Sequence, residues 1–157
     1  MKNKTIHLNY REGNDLSEFS QKDQELINQT IDFSDNAYAP YSNFHVSAGL
    51  ILDNGKVIKG TNVENASYPV SICAERTLLS HTVSNYPTNK IEKIVIYVDR
   101  DLSEPVSPCG VCRQTLLEVE KRQEKNIEVI LITKSGTFVV FDKCTDLLPL
   151  YFDGEVL

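Results

Sequence analysis

Between Leu16 and Ala37 the apolar residues Leu16, Phe19, Leu26, Ile27, Phe33 and Ala37 recur at helical spacing, with Ser and acidic residues near the start. This run predicts a helix that ends before "YAPYSNF", because Pro40 disfavours helical backbone at Ala39. In "FHVSAGLILDNGKVIKGTNVE" two partly alternating apolar runs flank Asp53-Asn54-Gly55, which predicts a hairpin. A second helix is expected over "ICAERTLLSHTVSN", where Ala74, Leu78 and Val83 are apolar, and a buried strand over "KIVIYVD". "PCGVCRQTLLEVEKRQ" reads as a third helix opened by Pro108. "NIEVILIT" and "GTFVVFD" follow as strands around the turn "KSG", and the helical turn "CTDLLP" leads into the tail.

The order helix, hairpin, helix, strand, helix, strand, strand is an α/β pattern in which helices cover one sheet. Residues 1–15 are polar and aperiodic, either a flexible tail or a short edge strand at "TIHLNY". Residues 16–157 carry no repeat, low-complexity linker or composition break, so one domain is expected there. A chain of 157 residues with 41% hydrophobic and 24% charged residues can bury a core of its own. Its formal net charge of −6, with no Lys/Arg cluster, argues against sequence-independent nucleic-acid binding. Apolar runs such as "IVIYV" are too short to span a bilayer, and "MKNKTIHLNYREGND" has no apolar signal core, so a cytoplasmic protein is expected.

In a reducing cytosol the four cysteines point to metal binding or catalysis rather than to disulfides. "PCGVC" places Cys109 and Cys112 three apart, on one face of a helix beginning there. Alone, that pair is half a zinc site, a redox dithiol, or two unrelated buried thiols. Cys73 also stands at a predicted helix start, where unpaired amides favour thiolate. Three thiolates around Zn²⁺ leave one tetrahedral position; a fourth protein ligand makes the site structural, and water makes it catalytic. Cys144, in "DKCTDLLP", has the apolar neighbours of a small buried hydrophobe, and His81 lies over two turns beyond Cys73. His7 and His45 are expected to be solvated or satisfied locally, so the fourth position reads as open. Glu75 is either a first-turn glutamate favoured by the helix dipole or a carboxylate beside a metal-bound water, off the helix tip. Arg76 is either a solvated charge or an offset to the surplus negative charge of three thiolates on one dication.

"CAE" followed by "PCGVC" is similar to the zinc nucleoside-deaminase signature. With "AYAPYSNFHVSAGL", "NVENASYPVSICAERT", "SPCGVCRQ" and "DLLP", the stretch from about Ala37 to Phe152 resembles the small three-cysteine cytidine deaminases of pyrimidine salvage. The resemblance implies a three-layer α-β-α fold with a mixed central sheet of about five strands. It implies one Zn²⁺ per subunit held by Cys73, Cys109 and Cys112, with Glu75 as general acid/base and Arg76 hydrogen-bonded to the ligand sulfurs. Phe44 would pack on the pyrimidine, Asn62 and Glu64 would hold the ribose hydroxyls, and Ala74 would also touch substrate. Two apart on a strand, Asn62 and Glu64 share a face, although each of these residues has a plain structural role open to it as well. A homotetramer is implied too, with Phe152 where such enzymes lend a phenylalanine to a neighbouring site, although "LYFDGEVL" departs from the usual tail.

The reaction so implied is hydrolytic deamination of cytidine and deoxycytidine to uridine and deoxyuridine plus ammonia. Zinc acidifies a water, Glu75 moves its proton to ring N3 and then to the leaving ammonia, and the hydroxide attacks C4. The implied partner is a small nucleoside, with neither nucleic acid nor membrane. Two rivals stand beside this reading. One is a blasticidin-S-type or other small-molecule aminohydrolase of the same superfamily. The other is a non-catalytic structural zinc module, which needs a fourth ligand such as Cys144.

Overall fold

A computed structural model describes residues 1–156. Six strands form one sheet: β1 (Arg11–Gly13), β2 (Val46–Leu52), β3 (Val57–Thr61), β4 (Ile91–Val98), β5 (Glu128–Thr133) and β6 (Phe138–Phe141). Their order is β1-β6-β5-β4-β2-β3, and only β4 and β5 run parallel, so the sheet is mixed. The predicted hairpin is the pair β2–β3, closed at Gly55, whose φ of 82° suits a residue without Cβ. A parallel pair needs a crossover, and the third helix, α3 (Gly110–Gln123), supplies it between β4 and β5.

The first helix, α1 (Gln21–Asp32), is shorter than the apolar spacing predicts. Ser20 accepts the Asp23 N–H at 3.2 Å and so caps the helix N-terminus, while Asp15 caps a separate 3₁₀ turn, Leu16–Glu18. A second 3₁₀ turn, Phe33–Asn36, closes the run before Pro40. On one face of the sheet α1 buries Leu26 and Ile27 against Val95, Ile130 and Val140. Gly49 marks their closest approach: a Cβ there would lie 2.1 Å from Thr30 Oγ1. On the other face α2 (Ala74–Asn85) and α3 bury Leu78, Leu79 and Leu116 against Leu50, Ile94 and Val129. The three-layer α-β-α architecture is as expected.

The sixth strand is a correction to the expected five. β1 comes from the N-terminal extension, later than the "TIHLNY" run, and residues 1–10 have no regular secondary structure. "REG" has no apolar alternation, so nothing local announces it. Tertiary contacts make it: Arg11 pairs with Glu128 and Asp142, both at 2.9 Å, and Gly13 lies flat on Phe138, where a Cβ would approach Cζ to 2.6 Å.

Candidate metal centre and substrate cavity

Cys73 and Cys109 are the N-cap residues of α2 and α3. Both have extended backbone, and neither side chain makes a capping hydrogen bond to its helix. Cys112, within the first turn of α3, is fully buried. The three Sγ atoms lie within 4.8 Å of one another. Zn–S bonds of about 2.3 Å in a tetrahedron put sulfurs roughly 3.8 Å apart, so the trio fits one Zn²⁺. Two helix N-termini converge there and favour thiolate. A hydrogen bond from Cys112 pulls the Cys73 thiol down to about 6, and the charge of Arg76 adds to the effect. The same bond, together with burial, pushes Cys112 up. Of these two thiols Cys73 is thus the first to ionise, and a bound dication drives Cys112 to follow.

Glu75, only 5% exposed, sits in the first turn of α2. Burial is the largest influence and raises its carboxyl above the usual range, opposed in part by its own amide. It lines a cavity of about 250 Å³ with Phe44, Asn62, Cys73, Ala74 and Cys109, and Val46, Ile96 and Val98 form an apolar wall. A larger cavity of about 710 Å³ beside β1 and β6 contains no cysteine, so volume does not mark the site. Donor chemistry does.

Asn62 lines the cavity, but its amide also ties down the start of β2. It donates to the Phe44 carbonyl at 2.8 Å and accepts the Val46 N–H at 2.9 Å. Glu64 turns to the loop before Phe44, accepting the N–H groups of Tyr41 at 2.8 Å and Ser42 at 3.3 Å, and the Ser42 hydroxyl. Those bonds, the Ser42 hydroxyl first, hold its carboxyl below the usual range. Arg76 is half-buried and, among the described residues, donates no hydrogen bond to the sulfurs. Phe152 is 61% exposed and lies outside this cavity, its carbonyl accepting from Gln114 at 3.0 Å. Cys144 is fully buried away from the trio, its thiol pushed up by burial and weakly bonded to the Ile127 carbonyl. His81 is exposed beside Asn85.

Arg113 escaped the sequence reading. It donates to the Pro108 carbonyl at 2.7 Å, the Ser107 hydroxyl at 2.8 Å and the Leu147 carbonyl at 3.0 Å, and so clamps the segment entering Cys109. A cation in the first turn of a helix opposes the dipole, and that was the available signal.

Residues 20–125 match the family described as "Cytidine and deoxycytidylate deaminase zinc-binding region". The chain is 44% identical over 96 residues to the cytidine deaminase of Halalkalibacterium halodurans, covering 61% of this chain and 70% of that protein. It is 38% identical over 104 residues to the cytidine deaminase of Mycoplasma pneumoniae, covering 66% of this chain and 71% of that one. The crystal structure of cytidine deaminase from Burkholderia pseudomallei superposes with a TM-score of 0.72 at 37% identity, over 82% of this chain and 98% of that chain. The three-sulfur cluster at two helix tips and these similarities agree: the chain belongs to the cytidine and deoxycytidylate deaminase family, and its cofactor is Zn²⁺.

Proposed function

We propose that this chain hydrolytically deaminates cytidine and deoxycytidine to uridine and deoxyuridine, releasing ammonia, in cytoplasmic pyrimidine salvage. The observation that carries this reading is Glu75, a buried carboxylate sharing one cavity with the Cys73 and Cys109 sulfurs. Bound Zn²⁺ supplies Lewis acidity that makes a water molecule acidic near neutral pH. Glu75 takes the proton from the attacking water, gives it to ring N3, and later carries a proton to the departing amine at C4. Phe44 and the apolar wall hold the flat base and exclude bulk water. Ala74 offers a first-turn N–H that has no partner within its helix.

Asn62 and Glu64 retain capacity for the sugar despite their structural bonds. A carboxylate has about four acceptor sites, and Glu64 uses three of them. Asn62 keeps one amide hydrogen and one lone pair. Arg76 offsets negative charge at the ligands without touching them. Residues 16–157 form the catalytic domain, with 1–15 as an extension. The assembly is a homotetramer in which Phe152 reaches a neighbouring site; the exposure of Phe152, Tyr68 and Val70 supports such contacts. No described helix is long and apolar enough to cross a membrane.

The test is the loss of cytidine absorbance with zinc-loaded protein, repeated with deoxycytidine and with blasticidin S. Turnover of both nucleosides is expected. Turnover of blasticidin S alone overturns the substrate assignment, and no turnover of any of them overturns the enzymatic reading.

A further inference from the structure

We infer that Arg100 is a positioning residue for Phe44 and thereby sets the affinity of the site for the pyrimidine, an inference that rests on the nucleoside reading above. Arg100 follows β4, the strand at the middle of the sheet. Its N–H donates to the Val98 carbonyl at 2.8 Å, and its carbonyl accepts the Lys134 N–H at 3.3 Å. The backbone is thus fixed to the ends of the two central strands. The side chain reaches back to the segment carrying Phe44. Nη2 donates to the Asn43 carbonyl at 3.1 Å and to the Ser42 carbonyl at 3.4 Å, and the guanidinium carbon lies 5.4 Å from the centre of the Phe44 ring.

That segment is held from two sides. Asn43 turns the chain with a φ of 53°, in the left-handed region that Asn tolerates better than most L-residues. Glu64 grips the turn through the N–H groups of Tyr41 and Ser42, and Arg100 grips it through the carbonyls of Ser42 and Asn43. An acid holds the amides and a base holds the carbonyls, so each end of the peptide dipoles meets its complement. The cation over the ring adds a contact that favours one ring orientation. Phe44 lines the catalytic cavity and Arg100 does not, so Arg100 acts through the phenylalanine rather than on substrate. A planar guanidinium can bond two carbonyls and lie over an aromatic face together, whereas an ammonium is a point charge.

The experiment compares Arg100→Ala, Arg100→Lys, Phe44→Leu and the Arg100→Ala/Phe44→Leu pair in the zinc-loaded protein. Arg100→Ala is expected to raise KM for cytidine about five- to tenfold with little change in kcat, zinc content or melting temperature. Amide exchange at residues 41–44 should quicken in the same variant, and Arg100→Lys should recover only part of both effects. The pair should show a KM close to that of Phe44→Leu alone, since an arginine acting through Phe44 has nothing left to position. An unchanged KM, additive effects in the pair, or unchanged exchange at 41–44 in Arg100→Ala would each overturn the inference. If the parent protein turns over no cytidine, the nucleoside reading fails, while the exchange measurement still reports whether Arg100 holds the segment.

Discussion

Cys73 and Cys109 occupy equivalent places at the tips of two neighbouring helices, and neither thiol caps its own helix. Ser, Thr, Asp or Asn at such a position would turn back and bond the first-turn amides. Cysteine, a poor acceptor, leaves its sulfur free in the space between the tips. α2 and α3 share a packed core through Leu78, Leu79 and Leu116, so the two tips are held at fixed separation before any ion binds. Cys112, locked by burial, completes the set.

Glu75→Gln tests the proton shuttle. Gln has nearly the same shape and cannot take up the proton, so the variant should fold and keep its zinc. Turnover of cytidine should fall by roughly 10²–10⁴-fold. Metal analysis alongside initial rates checks both halves; near-parent turnover would remove Glu75 from the mechanism.

Cys144 and Cys112 are both fully buried, yet only one belongs to the metal group. Cys112→Ser is therefore expected to lose most bound zinc, whereas Cys144→Ala should keep a full equivalent. The second variant loses only core packing, on the order of 1 kcal/mol. Zinc loss from Cys144→Ala would instead point to a closed structural site.

Gly49→Ala probes the contact between α1 and the sheet. The added Cβ would meet Thr30 Oγ1, which is itself bonded to the Leu26 carbonyl at 2.7 Å. The helix must shift or the threonine must give up that bond, and a loss of about 1–3 kcal/mol is expected. Urea unfolding measures it, and a neutral outcome would show that α1 moves freely on the sheet.

Lys93 makes the stability of the protein depend on alkaline pH. Its Nζ lies 2.5 Å from Asp23 and 2.8 Å from Glu128, and its side chain is 17% exposed. Burial works to lower its pKa, but the two carboxylates outweigh that and hold it above the ordinary 10.5. A pKa raised on folding means that the contribution is complete below the unfolded value and fades as pH rises through the folded one. The parent should therefore lose more stability than Lys93→Met as pH rises above the ordinary lysine value of 10.5. Equal losses in the two proteins would show that the ion group contributes nothing.

Residue types and spacing narrowed the chemistry to a few readings, and the resemblance carried by "CAE" and "PCGVC" singled out zinc among them. Cys73 and Glu75 two apart, and Cys109 and Cys112 three apart at a second helix start, are compatible with one metal centre because helix geometry lets these side chains leave neighbouring tips. The hairpin at Asn54-Gly55, the buried strand β4 and the three helices were legible for the same reason: each is written in a local period or turn. What the sequence could not decide depended on contacts between distant segments. β1 exists because Arg11 meets Glu128 and Asp142 and Gly13 meets Phe138, far along the chain. Glu64, whose implied role was to hold a sugar, holds the loop of Tyr41 and Ser42. Arg100 meets Phe44 because β4 ends beside that loop. Local pattern determines which elements form and which atoms can bind metal; the packing of those elements decides which side chain steadies which, since no residue encodes its neighbours across the sheet.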